Sequence, residues 1–171
     1  MNKMSISAKF LEFAGAYLQS ASMVNDLMAG NPDRTSDAMG SVVMFNARLA
    51  VELFLKGMIV AKRPDTKLHH GLEKLESTYK ELYPGKEFSW NVPFTVQVIG
   101  GKASEQRDIA LRAAKERPLD QVFRYPVSSI GEPWQIVENY SPRDLASLLG
   151  QIGMDFVRIK ELLERSGGAE A

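Results

Sequence analysis

The chain has 171 residues, 44% of them apolar and 25% charged, with 21 Lys plus Arg matched by 21 Asp plus Glu. That is the size and make-up of one domain able to bury a core unaided, and the even charge gives no global field drawing it to nucleic acid or an anionic membrane. The absence of cysteine excludes disulfides, thiolate catalysis, iron–sulfur clusters and the common structural zinc sites.

From Ser7 to about Met28, Phe10, Phe13, Ala14, Tyr17, Leu18, Ala21, Val24 and Met28 recur at three- and four-residue spacing, which predicts a long amphipathic helix. The same N-terminal stretch has no continuous apolar run before a small-residue cleavage site. No segment of the chain reads as a bilayer span, so a cytoplasmic location without membrane contact is expected. Gly30, Asn31 and Pro32 end the first helix, and Asp33, Thr35 or Ser36 can cap a second that runs to Arg63, before Pro64. This second helix is apolar on nearly every side, the pattern of a helix at the centre of a bundle.

Its charged residues Arg48, Glu52 and Lys56 stand four apart on one narrow sector, with Phe45 and Ile59 among them. Glu52 can pair with both cations along the helix, and an exposed pair of that kind contributes roughly 0.3–0.5 kcal/mol. Alternatively the three line a cleft with His69, His70, Arg124 or Tyr125, because charge in so apolar a setting must find partners or water. Between Arg48 and His70 five cations, Arg48, Lys56, Lys62, Arg63 and Lys67, face only Glu52 and Asp65. Such a surplus either forms a solvated helix end or holds part of a phosphate.

A turn at residues 64–67 leads to His69, His70 and Gly71, and Leu72, Leu75, Tyr79 and Leu82 then mark a shorter helix ended by Pro84 and Gly85. His70 suits a helix start bonded to backbone, or a polar site. Two adjacent histidines make a poor metal site, and none is assigned. In residues 88–98 Phe88, Trp90, Val92, Phe94, Val96 and Val98 alternate with mostly polar residues, predicting a small β-hairpin or extended insertion near residues 87–99, with Pro93 at its turn or edge. Its aromatic residues suit packing on the helices or a subunit interface better than base stacking. A surface helix is predicted from Ala103 to about Glu116, followed by a proline-rich loop. Ser141, Pro142 and Asp144 open a last helix by cap, first-turn proline and capping-box spacing, and its apolar face runs from Leu145 to Leu163. The whole chain reads as one domain, residues 1–171, with a flexible tail at 166–171.

Other common chemistries lack their signatures in this chain. Gly101-Lys102 fails as a phosphate-binding loop because Val96 and Ala103 stand where a glycine and a hydroxyl are needed. No dinucleotide fingerprint, nucleophile elbow, zinc-protease pair or calcium loop occurs in the sequence.

The run NARLAVELFLKG at residues 46–57, the proline-containing turn after it, HHGLEKL at 69–75, and FRYP at 123–126 before a long final helix together resemble HEPN domains (higher eukaryotes and prokaryotes nucleotide-binding). The resemblance covers the order of elements over most of the chain. It implies a mainly α, up-and-down bundle of about four to five helices that dimerises and binds RNA or a nucleotide, without a cofactor. It also implies partners such as a nucleotidyltransferase or antitoxin. The positions matching the family's polar residues are Glu52, Lys56, His70, Arg124 and Tyr125, with Arg48 on the same helix face.

Ribonuclease members of that family use an arginine followed a few residues later by histidine near the start of a late helix. Here Arg63 precedes His69 at a similar interval, but Pro64 replaces the polar residue and no histidine follows Arg124. Binding without cleavage is therefore the expected activity. The alternatives are a metal-independent, toxin-type ribonuclease using Arg63 with His69 or His70, and a protein–protein interaction module built on the aromatic insertion.

Overall fold

Ser5, Ser36 and Ser141 each place a hydroxyl where a helix begins, accepting from the N–H of Ala8, Met39 and Asp144 respectively and satisfying donors the helices leave open. In the computed structural model, which describes residues 5–95, 123–124 and 140–167, the helices are α1 (Ile6–Gly30), α2 (Asp37–Lys62), α3 (Leu72–Leu82) and α4 (Pro142–Gly167). The protein is mainly α-helical, and no strand occurs among the described residues.

The turn between α1 and α2 is closed by Thr35, whose hydroxyl donates to the Met28 carbonyl, and by Asn31, whose side chain accepts from Asp33 N–H. The two helices then run antiparallel. Ser7 donates to the Gly57 carbonyl at 2.9 Å, and Asn46 donates to Ser20 midway along the contact. Close approach needs small residues. Ala14 and Ala21 of α1 and Ala47 and Ala50 of α2 are fully buried, and a Cβ on Gly57 would lie 2.8 Å from Leu11 Cδ2.

Helix α2 touches α1, α3 and α4 and supplies much of the core through Val43, Val51, Phe54, Leu55, Met58 and Ile59. Burying each such side chain contributes about 1.5–3 kcal/mol, so α2 is held by its neighbours rather than by propensity. One expectation from sequence is corrected here. By length and composition alone α2 is apolar enough to cross a bilayer, with a mean hydropathy of 1.4, although half of that stretch is buried inside the bundle.

Helix α4 runs antiparallel to α1. The buried Asn25 donates to the Pro142 carbonyl at 3.0 Å, and a Cβ on Gly153 would lie 3.7 Å from Leu18. The chain enters α4 through Tyr140, whose ring lies so close to Gly40 of α2 that any side chain there would collide with it.

The insertion region takes a different form from a hairpin as far as it is described. Lys86–Phe88 is a single 3-10 turn, and residues 89–95 are irregular; the expected hairpin's remaining residues, 96–99, lie outside the described residues, as does the helix expected from Ala103. The alternation nevertheless puts Trp90, Val92 and Phe94 into the core. Trp90 meets the rings of Phe54 (5.6 Å), Phe156 (5.8 Å) and Tyr79 (6.3 Å) edge-on, while Phe54 and Phe156 stack at 4.0 Å. Phe94 has a left-handed φ of 65°, a conformation disfavoured for a bulky residue and held here by burial of its ring. Arg158 of α4 fastens the region from outside, donating to the carbonyls of Glu87 and Ser89 while pairing with Asp155 at 3.0 Å.

Two tyrosines tie α3 into this cluster. Tyr79 donates to the Phe88 carbonyl at 2.7 Å and Tyr83 to the Met58 carbonyl at 2.8 Å. Burial pushes the Tyr83 hydroxyl from 10.0 up to about 12, and burial also raises Tyr79, with Arg158 pulling the other way. Unfolded tyrosines lose their protons first, so the unfolded state binds fewer protons than the folded state once pH passes 10.0. Stability is therefore expected to fall as pH rises from there towards the folded value. In urea unfolding, Tyr83→Phe should flatten that alkaline decline.

Candidate functional site

An interval of four residues on a helix brings side chains to one face, and α2 carries Arg48, Glu52 and Lys56 at that interval. All three are buried, at 6%, 5% and 6% exposure. Lys56 Nζ donates to Glu52 Oε1 at 2.7 Å, and Arg48 Nη1 reaches Oε2 at 3.5 Å. One carboxylate thus serves two buried cations, and the Nε–H of Arg48 has no acceptor among the described residues.

The turn after α2 returns the chain to this ridge. Arg63 closes the helix with its N–H on the Ile59 carbonyl, and His70 then lies with Nδ1 3.1 Å from Glu52 Oε1 and 3.4 Å from Lys56 Nζ. A protonated Nδ1 donates to Glu52, whereas an unprotonated one accepts from Lys56, so the tautomer follows the state of the cluster. The His70 side chain is 90% exposed while its partners are buried, which places it at the mouth of the cluster.

His70 does not cap α3. Gly71 is the N-cap and offers no side-chain bond. Of the other residues singled out, Arg63 pairs across solvent with Glu81 at 3.5 Å, and His69 is exposed. Arg124, also exposed, sets its guanidinium 5.4 Å from the ring centroid of Phe45, one helical turn before Arg48 on the same face. Tyr125 lies outside the described residues. Four of the expected residues, Arg48, Glu52, Lys56 and His70, therefore form one cluster, and Arg124 is held on the same helix. The spacing of the first three is visible in sequence; the seat of Arg124 on Phe45 is a long-range contact that no local pattern announces.

Among the described residues the cluster offers a surplus of one positive charge beneath an accessible imidazole. That set suits an anion with several oxygen acceptors, such as a phosphate. No family, curated protein or solved structure matches the chain.

Proposed function

We propose that this is a HEPN-like helical protein that dimerises and binds RNA or a nucleotide without cleaving it, taking the phosphate at the α2 ridge. The carrying observation is the uneven pairing of Arg48 and Lys56 with Glu52, which among the described residues leaves one positive charge uncompensated beneath the exposed His70. A phosphate at that mouth would supply the missing counter-charge. His70 at the mouth and Arg124 above Phe45 would add contacts to the same ligand. The resemblance in residues 46–57, 69–75 and 123–126 points the same way.

Fluorescence anisotropy with a labelled single-stranded RNA and with ATP tests the reading. Binding should weaken with salt, and Lys56→Ala or Arg124→Ala should each reduce affinity by about tenfold and lower the salt slope by about one. No binding of either probe at low salt would end the proposal. Light scattering on the same sample should give twice the monomer mass.

The contact between His70 and Glu52 favours a second reading, in which Glu52 orients the imidazole for acid–base work on RNA. The RNA recovered after incubation with EDTA distinguishes the two. Intact RNA supports binding alone, whereas cleavage lost in His70→Ala but kept in His69→Ala would make the protein a ribonuclease.

A further inference from the structure

Residues 13–25 of α1 carry no charged side chain, yet within that stretch Phe13 and Met23 are 57% and 65% exposed, and Ala16 and Gln19 are exposed as well. A solvent-facing helix surface ordinarily carries charge, and apolar groups gathered on one face mark a site of association. The face that turns to the bundle is a different one, formed by Ala14, Ala21, Asn25 and Met28.

The outward side chains are ordered. Ile6, Phe13, Ser20 and Leu27 recur every seven residues, and Lys9, Ala16 and Met23 each follow three residues after one of them. That is the spacing of a helix packed lengthwise on another helix. Ile6 and Leu27 are 66% and 43% exposed, so the seam stands open from end to end of α1. Val42 of α2, also exposed, borders it: Asn46 donates to Ser20, and Val42 lies one turn further on, level with Val24.

The charges at the two ends decide what covers this seam. Lys9 lies towards one end and Asp26 towards the other, both exposed. A second α1 laid antiparallel, with the two-fold axis level with residue 18, sets Phe13 on the partner's Met23 and Ala16 on the partner's Ser20. The stem of Lys9 then covers the partner's Leu27, and its ammonium reaches the partner's Asp26. Small residues meet at the centre, large ones meet above and below it, and each contact is made twice, as a two-fold pair requires. A parallel pair would instead oppose Lys9 to Lys9, Glu12 to Glu12 and Asp26 to Asp26.

We propose that α1 pairs with α1 of a second copy of this chain in this antiparallel register, burying Phe13, Met23 and Leu27. The proposal deepens the dimer reading above, on which it rests for the number of copies, and takes nothing from the α2 ridge.

The chain has no cysteine, so introduced cysteines report the register. Mixed under oxidation, Phe13→Cys and Met23→Cys should give a disulfide-linked pair containing one of each, and neither should cross-link alone. Self-linking by Met23→Cys alone, the mark of a parallel pair, overturns the proposal. Phe13→Glu and Met23→Glu, both at exposed positions, should leave the helical circular dichroism unchanged. Light scattering over a dilution series should show each raising the dimer dissociation constant by about a hundredfold or more, since each places a charge in an apolar contact twice over. A dimer that persists unweakened in both glutamate variants overturns this surface while leaving dimerisation itself. A parent that stays monomeric throughout overturns both. Anisotropy with RNA on the parent tests the ridge separately, whatever mass the variants show.

Discussion

Replacing Glu52 by alanine is expected to cost about 3–5 kcal/mol of unfolding free energy, because it strands two buried cations without a counter-charge. Arg48 and Lys56 are each 6% exposed, and the Glu52 carboxylate pairs with both. The complementary variant, with Arg48→Met, Glu52→Leu and Lys56→Leu combined, removes the charges as a set and should be as stable as the parent or more so. Urea unfolding followed by circular dichroism measures both. If Glu52→Ala lost less than about 1 kcal/mol, the cluster would behave as a solvated surface pair and the argument from its buried surplus would fail. If the triple variant is stable yet no longer retains RNA, the charges are kept for binding at no benefit to folding.

The second large effect is expected at Phe156. Its ring stacks on Phe54 at 4.0 Å with the planes 5° apart, and Trp90 abuts it edge-on. Phe156→Ala should cost about 3–5 kcal/mol, through lost transfer energy together with the cavity left behind. Aromatic pairing adds about 0.5–1.5 kcal/mol beyond area, so Phe156→Leu should lose less but remain measurably weaker than the parent. The loss would fall on three segments at once, since Phe54 belongs to α2, Trp90 to the irregular stretch and Phe156 to α4. A loss confined to about 1 kcal/mol would mean that this cluster closes over the vacancy with little strain.

Helix boundaries were legible because their signals are local. Ser36 and Ser141 cap as their spacing announces, Pro142 stands in the first turn of α4, and Leu72, Leu75 and Tyr79 turn inward together. The alternation of Trp90, Val92 and Phe94 correctly marked one buried side, but period two describes any extended chain with one side covered, and it cannot tell a strand from an irregular strap lacking a neighbouring strand. The apolar circumference of α2 was read as centrality and not as membrane-span composition, although the same residues satisfy both. In the candidate site, the four-residue spacing of Arg48, Glu52 and Lys56 could be read directly. The approach of His70 depends on the path of the turn after α2. The groove between α1 and α4 left no trace in the sequence, because Leu18 and Leu149 are brought to its two sides only by long-range packing.

Arg158 holds the strap carrying Trp90 by gripping main-chain oxygens of Glu87 and Ser89. A fastener that reads backbone is indifferent to the letters it fastens. Residues 87 and 89 are therefore at liberty to drift in sequence while the strap keeps its seat, and the constraint moves onto the arginine. A planar fork spans two carbonyls where a lysine's single ammonium is poorly matched, so variation tolerated along the strap is forbidden at its clasp.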